Sequence, residues 1–161
     1  LGHNLKNALH YSDKLRGLEK YFLDNHNKKT KIHLYEFENF SDEKKLSKFI
    51  DGIIDKHKNM RGIFITNSRA YRLINAMNVK DANRFVIIGY DMLEPNIQFL
   101  KESKINFIIN QNAINQGYYG IMAFINHFVL KEPIEKKQYL PLDIIIKENV
   151  DFYILNSTLN I

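Results

Sequence analysis

The stretch FVIIGYDML, residues 85–93, gives the clearest single indication of the fold class of this chain. Its first four residues are apolar, and they lead directly into Gly89 and Asp91. A short apolar run with polar neighbours is typical of a strand that is buried on both faces of a parallel sheet. Glycine lets a chain turn sharply, so we expect Asp91 to be presented just past the end of this strand.

Segments with strand and helix patterns alternate along the rest of the chain. Further strands are predicted at 31–39, 61–66, 105–111 and 138–149. Helices are predicted at 11–24, 41–58, 67–79, 94–103 and 114–130. Ser41 and Ser68 are the expected N-caps of two of these helices, and Pro141 is expected at the edge of the last strand. Such alternation implies an α/β protein with an open parallel sheet and helices on both faces.

Composition and charge fit a single globular domain. Of the 161 residues, 45% are hydrophobic and 25% are charged, which is typical of a folded rather than a disordered chain. No stretch approaches the roughly 20 apolar residues of a membrane helix, and the first ten residues do not resemble a secretory signal. The net charge is +5, but basic residues are scattered among acids, which indicates a solvated surface rather than a nucleic-acid interface. Together with the absence of cysteine, these features favour a cytoplasmic protein.

Polar side chains follow three of the predicted strands at their carboxyl ends. The set consists of Asn67, Ser68, Arg69, Asp91 and Gln111. Ligands of open parallel sheets bind beyond the carboxyl ends of the strands, so these side chains are expected to converge on one edge. Carboxylate, amide, hydroxyl and guanidinium groups together suit a ligand that is rich in hydroxyls.

Each of these residues also has a purely structural interpretation. Asp91 is as consistent with a cap of the following helix as with a ligand contact, and Ser68 fits a cap better than a contact. Arg69 could point into solvent, as most arginines do. Asn67 and Gln111 could simply tie loops together.

The sequence contains no recognisable catalytic or metal-binding motif. It has no G-x-S-x-G elbow, P-loop or G-x-G-x-x-G, and its six histidines lack metal-binding spacing. Asp91 and Glu94 could do acid–base work, but no neighbouring group would activate a water or a substrate. A binding protein is therefore favoured over an enzyme, with no catalytic residue, no metal and no cofactor.

Four motifs resemble those of the lactose-repressor (LacI) family, in the same order along the chain. They are KLRGLEKYF at 14–22, GIFITNSRAYRLINAM at 62–77, RFVIIGYDMLEPN at 84–96 and INFIINQNAINQGYYGIMAFINHFV at 105–129. The resemblance implies the periplasmic-binding-protein-like type I fold, in which two lobes close on a sugar or a related small molecule.

The resemblance also implies roles for particular residues. Asp91 is expected to hydrogen-bond ligand hydroxyls, and Gln111 corresponds to the glutamine before the family's long helix. Asn67 and Ser68 occupy the positions of an Asn-Asp pair, with serine in place of the aspartate. Lys14 stands where the family has an arginine, which replaces a bidentate fork with a point charge.

The same resemblance implies that residues 1–161 are an incomplete effector-binding domain. They would be mainly the second lobe, without the helix-turn-helix and most of the first lobe. The helix at 114–130 is apolar almost all round, which is typical of a helix buried on more than one side. In the family this helix crosses to the first lobe. Here we expect it to pack back on the chain or against another copy, as in a homodimer.

The leading functional hypothesis is the ligand-sensing domain of a LacI-type bacterial transcriptional regulator. It would bind a carbohydrate effector and reach operator DNA only through the absent N-terminal domain. One alternative is a solute-binding protein that serves a transporter or a sensor kinase. Another is a small α/β enzyme that uses Asp91.

Overall fold

The computed structural model describes residues 9–25 and 30–159. The helices in these ranges are α1 (Leu9–Asp24), α2 (Glu43–Lys56), α3 (Ala70–Ala76), α4 (Val79–Ala82), α5 (Glu94–Lys101), α6 (Ala113–Phe128) and α7 (Val150–Leu159). The strands are β1 (Gly62–Phe64), β2 (Val86–Tyr90), β3 (Phe107–Asn110) and β4 (Asp143–Ile145).

The four strands form one sheet in the order β1-β2-β3-β4. β1 and β2 are parallel, with Phe64 opposite Ile88, and β2 and β3 are parallel, with Tyr90 opposite Ile109. β4 runs antiparallel to β3. The predicted α/β class with a mainly parallel sheet is therefore confirmed, whereas the prediction that the sheet is parallel throughout is wrong at β4.

The antiparallel direction of β4 follows from the position of α6. A parallel connection needs a crossover helix that packs on the sheet, but no residue of α6 is buried. α6 therefore does not act as a crossover helix. The chain instead returns through residues 129–142 and runs back along β3, with Asp143 opposite Asn110.

The strand predicted at 31–39 is also wrong, because this segment makes only an isolated bridge at Glu36. Its aromatic rings pack on α2 instead. The ring centroids of Tyr35 and Phe37 lie 6.1 and 4.8 Å from the ring centroid of Phe49. Alternating apolar residues fit any half-buried surface, and here that surface is provided by a helix.

The core lies between the sheet and α2, α3 and α5. α2 contributes Leu46, Ile50 and Ile54, which belong to the apolar stripe that its sequence predicts. Its N-cap is Asp42 rather than Ser41. The Asp42 side chain accepts a hydrogen bond from the backbone N–H of Lys45, so the cap lies one residue later than expected. Other fully buried side chains are Ile65, Leu73, Ile87, Leu100, Ile105, Ile108 and Ile145.

α6 presents its apolar residues to solvent. Ile114, Ile121 and Phe124 are 74%, 64% and 67% exposed. The expectation that this helix packs back on the chain is therefore wrong. Contact with a second copy, and hence the homodimer, stays a prediction.

Candidate functional site

The carboxyl ends of β1, β2 and β3 lie along one edge of the sheet, because these three strands are parallel. The predicted polar residues lie at this edge, in the loops that follow the three strands. We use the name rim for the group formed by Lys14, Asn67, Ser68, Asp91 and Gln111. Four of these residues follow strands, and Lys14 reaches the edge from α1.

Asp91, and not Gly89, makes the sharp turn at the end of β2. Its φ of 63° lies in the left-handed region, which aspartate tolerates better than most residues. Gly89 lies within the extended strand. A Cβ at position 89 would come within 2.7 Å of the Ala70 Cβ, so the glycine allows α3 to approach β2 closely. The predicted turning role of Gly89 is wrong, whereas Asp91 does lie just past the strand.

Gln111 holds the Asp91 carboxylate in place. Gln111 Nε2 donates a hydrogen bond to Asp91 Oδ1 at 3.0 Å. Gln116 Nε2, in the first turn of α6, donates to the Gln111 carbonyl at 2.6 Å. α5 has Leu93 at its N-cap and no side-chain cap, so the interpretation of Asp91 as a cap is wrong. Within the described residues Asp91 Oδ2 accepts no hydrogen bond.

Lys14 brings a positive charge to the same place. Its Nζ donates to the Thr66 carbonyl at 3.1 Å and lies 3.6 Å from the centre of the Tyr90 ring, a cation–π contact. Burial lowers the pKa of Lys14, and the Asp91 carboxylate opposes this shift. Burial also raises the pKa of Tyr90, and Asp91 adds to that shift. Lys14 is therefore partly desolvated and close enough to Asp91 for the two charges to interact.

The loop after β1 is organised by Asn67 rather than by Ser68. Asn67 Oδ1 accepts a hydrogen bond from the Arg69 backbone N–H at 2.8 Å, a turn that asparagine commonly forms. The N-cap position of α3 is occupied by Arg69, which makes no side-chain cap, so the expected cap at Ser68 is wrong. The Arg69 guanidinium lies over the ring of Phe40, 5.9 Å from its centre. The Arg69 guanidinium therefore packs on a core ring rather than against another residue of the rim.

Asn96 connects the two halves of the rim, and sequence reasoning missed it. Its Nδ2 lies 2.9 Å from the carbonyl oxygen of Ser68 and 3.1 Å from that of Asp91. The residue is fully buried on α5. One signal could have revealed it, because Asn96 is four residues before the buried Leu100 and therefore on the apolar stripe of its helix.

The chemistry available at the rim is that of hydrogen bonding. In residues 9–25 and 30–159 no group of three or more histidine, aspartate or glutamate side chains is placed to hold a metal ion. No helix in the described part of the chain is long and apolar enough to cross a membrane. A carboxylate, amides and an ammonium at the carboxyl edge of a parallel sheet are typical of an α/β protein that binds a small polar molecule.

Comparison with protein families identifies the class more closely. Residues 6–132 match the family model described as "Periplasmic binding protein domain". The match spans most of the chain, so the chain belongs to this family. Membership makes it a binding domain rather than an enzyme, as the sequence predicts. No curated protein matches the sequence significantly.

Solved structures share the fold. A protein from Bacteroides fragilis, assigned as a LacI transcriptional regulator, is 30% identical with a TM-score of 0.61; the match covers 66% of this chain and 37% of that protein. The sugar-binding protein of a sugar ABC transporter from Bacillus halodurans is 25% identical with a TM-score of 0.54, and the match covers 70% and 42%. AraP, an arabinose-binding protein from Geobacillus stearothermophilus, is 17% identical with a TM-score of 0.69 over 92% and 53%. The chain thus spans between 37% and 53% of these relatives.

Proposed function

We propose that this chain is the ligand-sensing domain of a LacI-type transcriptional regulator and that it binds a carbohydrate or a related polyhydroxylated effector. The hydrogen bond from Gln111 Nε2 to Asp91 Oδ1 carries the proposal, because it orients a carboxylate at the carboxyl edge of the sheet. Asp91 Oδ2 then accepts hydrogen bonds from ligand hydroxyls. Such charge-assisted bonds are each worth about 1.5–3 kcal/mol.

The other rim residues complement this carboxylate. Lys14 donates hydrogen bonds only, so it suits the oxygen atoms of hydroxyl groups or of an acidic substituent. Gln111 and Asn67 carry amides, which donate and accept and therefore match hydroxyls in either role. Ser68 supplies a hydroxyl in the position where the resemblance leads us to expect a second carboxylate. We propose that the ligand consequently has fewer charge-assisted contacts on this side than the family pattern implies.

The regulatory part of the proposal is supported by the 30% identity to the Bacteroides fragilis protein. A ligand that binds one arrangement of the two lobes more tightly shifts the population toward that arrangement. In a dimeric cytoplasmic regulator this shift changes the spacing of the DNA-binding domains. Operator DNA would then be contacted only through a helix-turn-helix outside residues 1–161, and the present chain would supply mainly the second lobe.

A second candidate is a solute-binding protein that serves a transporter or a sensor kinase. It is favoured by the 25% identity to the sugar-binding protein from Bacillus halodurans. The rim would serve both functions equally well, because each requires capture of a small polar molecule. The two candidates differ in what ligand binding changes, namely operator affinity in one case and recognition by a membrane partner in the other.

The ligand-binding proposal is tested by a thermal-shift panel of mono- and disaccharides on the purified protein, followed by titration calorimetry of any sugar that stabilises it. Asp91→Asn is the informative variant, because asparagine keeps the shape of the side chain and tolerates the left-handed backbone. We expect it to weaken sugar binding roughly ten- to a hundredfold. Glu94→Gln, the same chemical change at an exposed residue of α5, is the control and should leave affinity unchanged. Equal affinity in the wild type and in Asp91→Asn would contradict the proposal.

The choice between regulator and solute-binding protein needs a separate assay. If the regulator assignment holds, the sugar that stabilises the protein changes the affinity of the full-length protein, with the helix-turn-helix proposed to lie outside residues 1–161, for DNA fragments taken from upstream of its gene. The change is lost in Asp91→Asn. A protein that binds sugar tightly but whose DNA binding does not respond to it would overturn the regulator assignment and leave the solute-binding candidate.

A further inference from the structure

We propose that Asn96 is a positioning residue that sets the spacing between the loop after β1 and Asp91, and that ligand affinity depends on it. This inference rests on the proposed function, since it concerns the same rim. Asn96 does not face the ligand. It acts through backbone groups of residues that do.

Asn96 is the one fully buried polar side chain among the residues whose burial is described, with 0% of its surface exposed. A buried amide without partners would destabilise the fold, and here every polar atom of the amide is used. Oδ1 accepts a hydrogen bond from the Tyr71 backbone N–H at 2.9 Å. Nδ2 faces three carbonyl oxygens, those of Ser68 at 2.9 Å, Tyr90 at 3.2 Å and Asp91 at 3.1 Å.

The bonds to Tyr90 and Asp91 fix the conformation of Asp91 itself. The two carbonyl groups belong to the peptide units on either side of the Asp91 Cα, so anchoring both restrains its φ and ψ. This restraint matters because a φ of 63° is unfavourable for a residue with a side chain. Asn96 therefore helps to hold the turn that points the carboxylate toward Gln111.

The bonds to Ser68 and Tyr71 fix the opposite side of the rim. α3 has no side-chain cap of its own, and the first N–H groups of a helix need acceptors. Asn96 Oδ1, on α5, supplies one such acceptor for the Tyr71 N–H and so caps α3 from a position distant in sequence. One side chain therefore holds the Asn67–Ser68 loop and the end of β2 at a fixed separation.

The experiment compares Asn96→Ala with Asn106→Ala. Asn106 is a matched control, because it also bonds the backbone of β2. Its Oδ1 accepts a hydrogen bond from the Ile87 N–H at 2.8 Å, near the amino end of the strand, whereas Asn96 acts at the carboxyl end. Both variants remove one amide that serves the backbone of β2, and both should lower the free energy of unfolding. Only Asn96→Ala removes the connection between the two loops of the rim.

We expect Asn96→Ala to weaken binding of the sugar identified by the thermal-shift panel at least about tenfold, measured where the protein is folded, and Asn106→Ala to change it by less than about twofold. In the Asp91→Asn background the Asn96→Ala change should weaken binding much less than it does alone, because both changes act through the same contact. Equal losses of affinity in Asn96→Ala and Asn106→Ala, or full additivity with Asp91→Asn, would overturn the positioning role.

Hydrogen exchange of backbone amides separates this inference from the proposed function. If the wild-type protein binds none of the sugars, the proposed function fails, but the positioning role is still decided without ligand. Asn96→Ala should then accelerate exchange at Tyr71, whose N–H loses its acceptor, and leave Ile87 protected. Exchange should also accelerate at Asp91, whose N–H is bonded to the Ile109 carbonyl but belongs to the turn that loses its restraint. Exchange that is unchanged at Tyr71 and Asp91 would refute the role.

Asn96→Leu provides a second variant in case Asn96→Ala does not fold, because leucine fills a similar volume and leaves no cavity. It removes both the acceptor of the Tyr71 N–H and the donor to the three carbonyl groups. It should therefore accelerate exchange at Tyr71 and at Asp91. Unchanged protection at both amides would contradict the positioning role.

Discussion

Substitution of Gly89 by alanine tests the close approach of α3 to β2. The new Cβ would lie 2.7 Å from the Ala70 Cβ, whereas ordinary contacts begin at 3.4 Å. Both atoms are attached directly to the backbone, so no side-chain rotation can relieve the overlap. Overpacking of this kind costs about 1–3 kcal/mol, and the reduced entropy of the unfolded chain offsets only about 0.4–1 kcal/mol of that.

We therefore expect Gly89→Ala to lower the free energy of unfolding by about 1–2 kcal/mol, measured by urea denaturation. Ala70→Gly removes the opposing Cβ and provides the matched partner. The double variant should be more stable than the sum of the two single effects predicts, by about 1 kcal/mol or more. Strict additivity of the two substitutions would show that the two Cβ positions do not oppose each other, and would refute the close approach.

Three further predictions follow from individual contacts. Asp42→Ala should destabilise the protein by about 0.5–2 kcal/mol through loss of the α2 cap, and Asp42→Asn should not; equal losses in urea denaturation would contradict the cap. Burial lowers the pKa of Lys14 in the folded state below its ordinary value of 10.5. Just below pH 10.5 the unfolded state therefore binds more protons than the folded state, so the free energy of unfolding rises with pH there. Lys14→Met should flatten this rise. The loss of stability above pH 10 that the raised pKa of Tyr90 causes should persist in the variant. An unaltered dependence of stability on pH would exclude the effect of Lys14. Replacing the exposed Phe124 and Phe128 by serine should change the free energy of unfolding by less than about 0.5 kcal/mol. The same variant should self-associate less than the wild type in analytical sedimentation. A large loss of stability would show that α6 packs within the chain.

The parts of the fold that local pattern determines could be predicted from the sequence. The apolar run before Gly89 forms β2, and the four-residue spacing of Leu46, Ile50 and Ile54 forms the buried face of α2. Burial of an apolar stripe or run is what selects the helix or strand in each case. The position of Asp91 just past β2 follows from the same pattern.

The features that depend on partners distant in sequence could not be predicted. The direction of β4 depends on whether α6 covers the sheet, and α6 does not. The alternating apolar residues at 31–39 can pack on the surface of a helix as well as in a sheet, and here they pack on α2. The turning role predicted for Gly89 was wrong for the same reason. Its contact with Ala70 is made between α3 and β2 and cannot be read from the neighbouring sequence.

The polar site was predicted in its residue types but not in its internal support. Strand ends in a parallel sheet meet at one edge, so Asp91 and Gln111 could be placed together, and the structure joins them by a hydrogen bond. Arg69 could not be separated from this set by sequence, because only the packed position of Phe40 shows where its guanidinium lies. Asn96 was missed because its partners are up to 28 residues away along the chain.

A crystal structure of the protein with a sugar that stabilises it tests ligand binding at the rim most directly. We expect ligand hydroxyls within hydrogen-bonding distance of Asp91 Oδ2, with Gln111 still bonded to Oδ1 and with Lys14 beside the ligand. A sugar bound away from the carboxyl edge of β1, β2 and β3, with Asp91 uninvolved, would contradict this expectation.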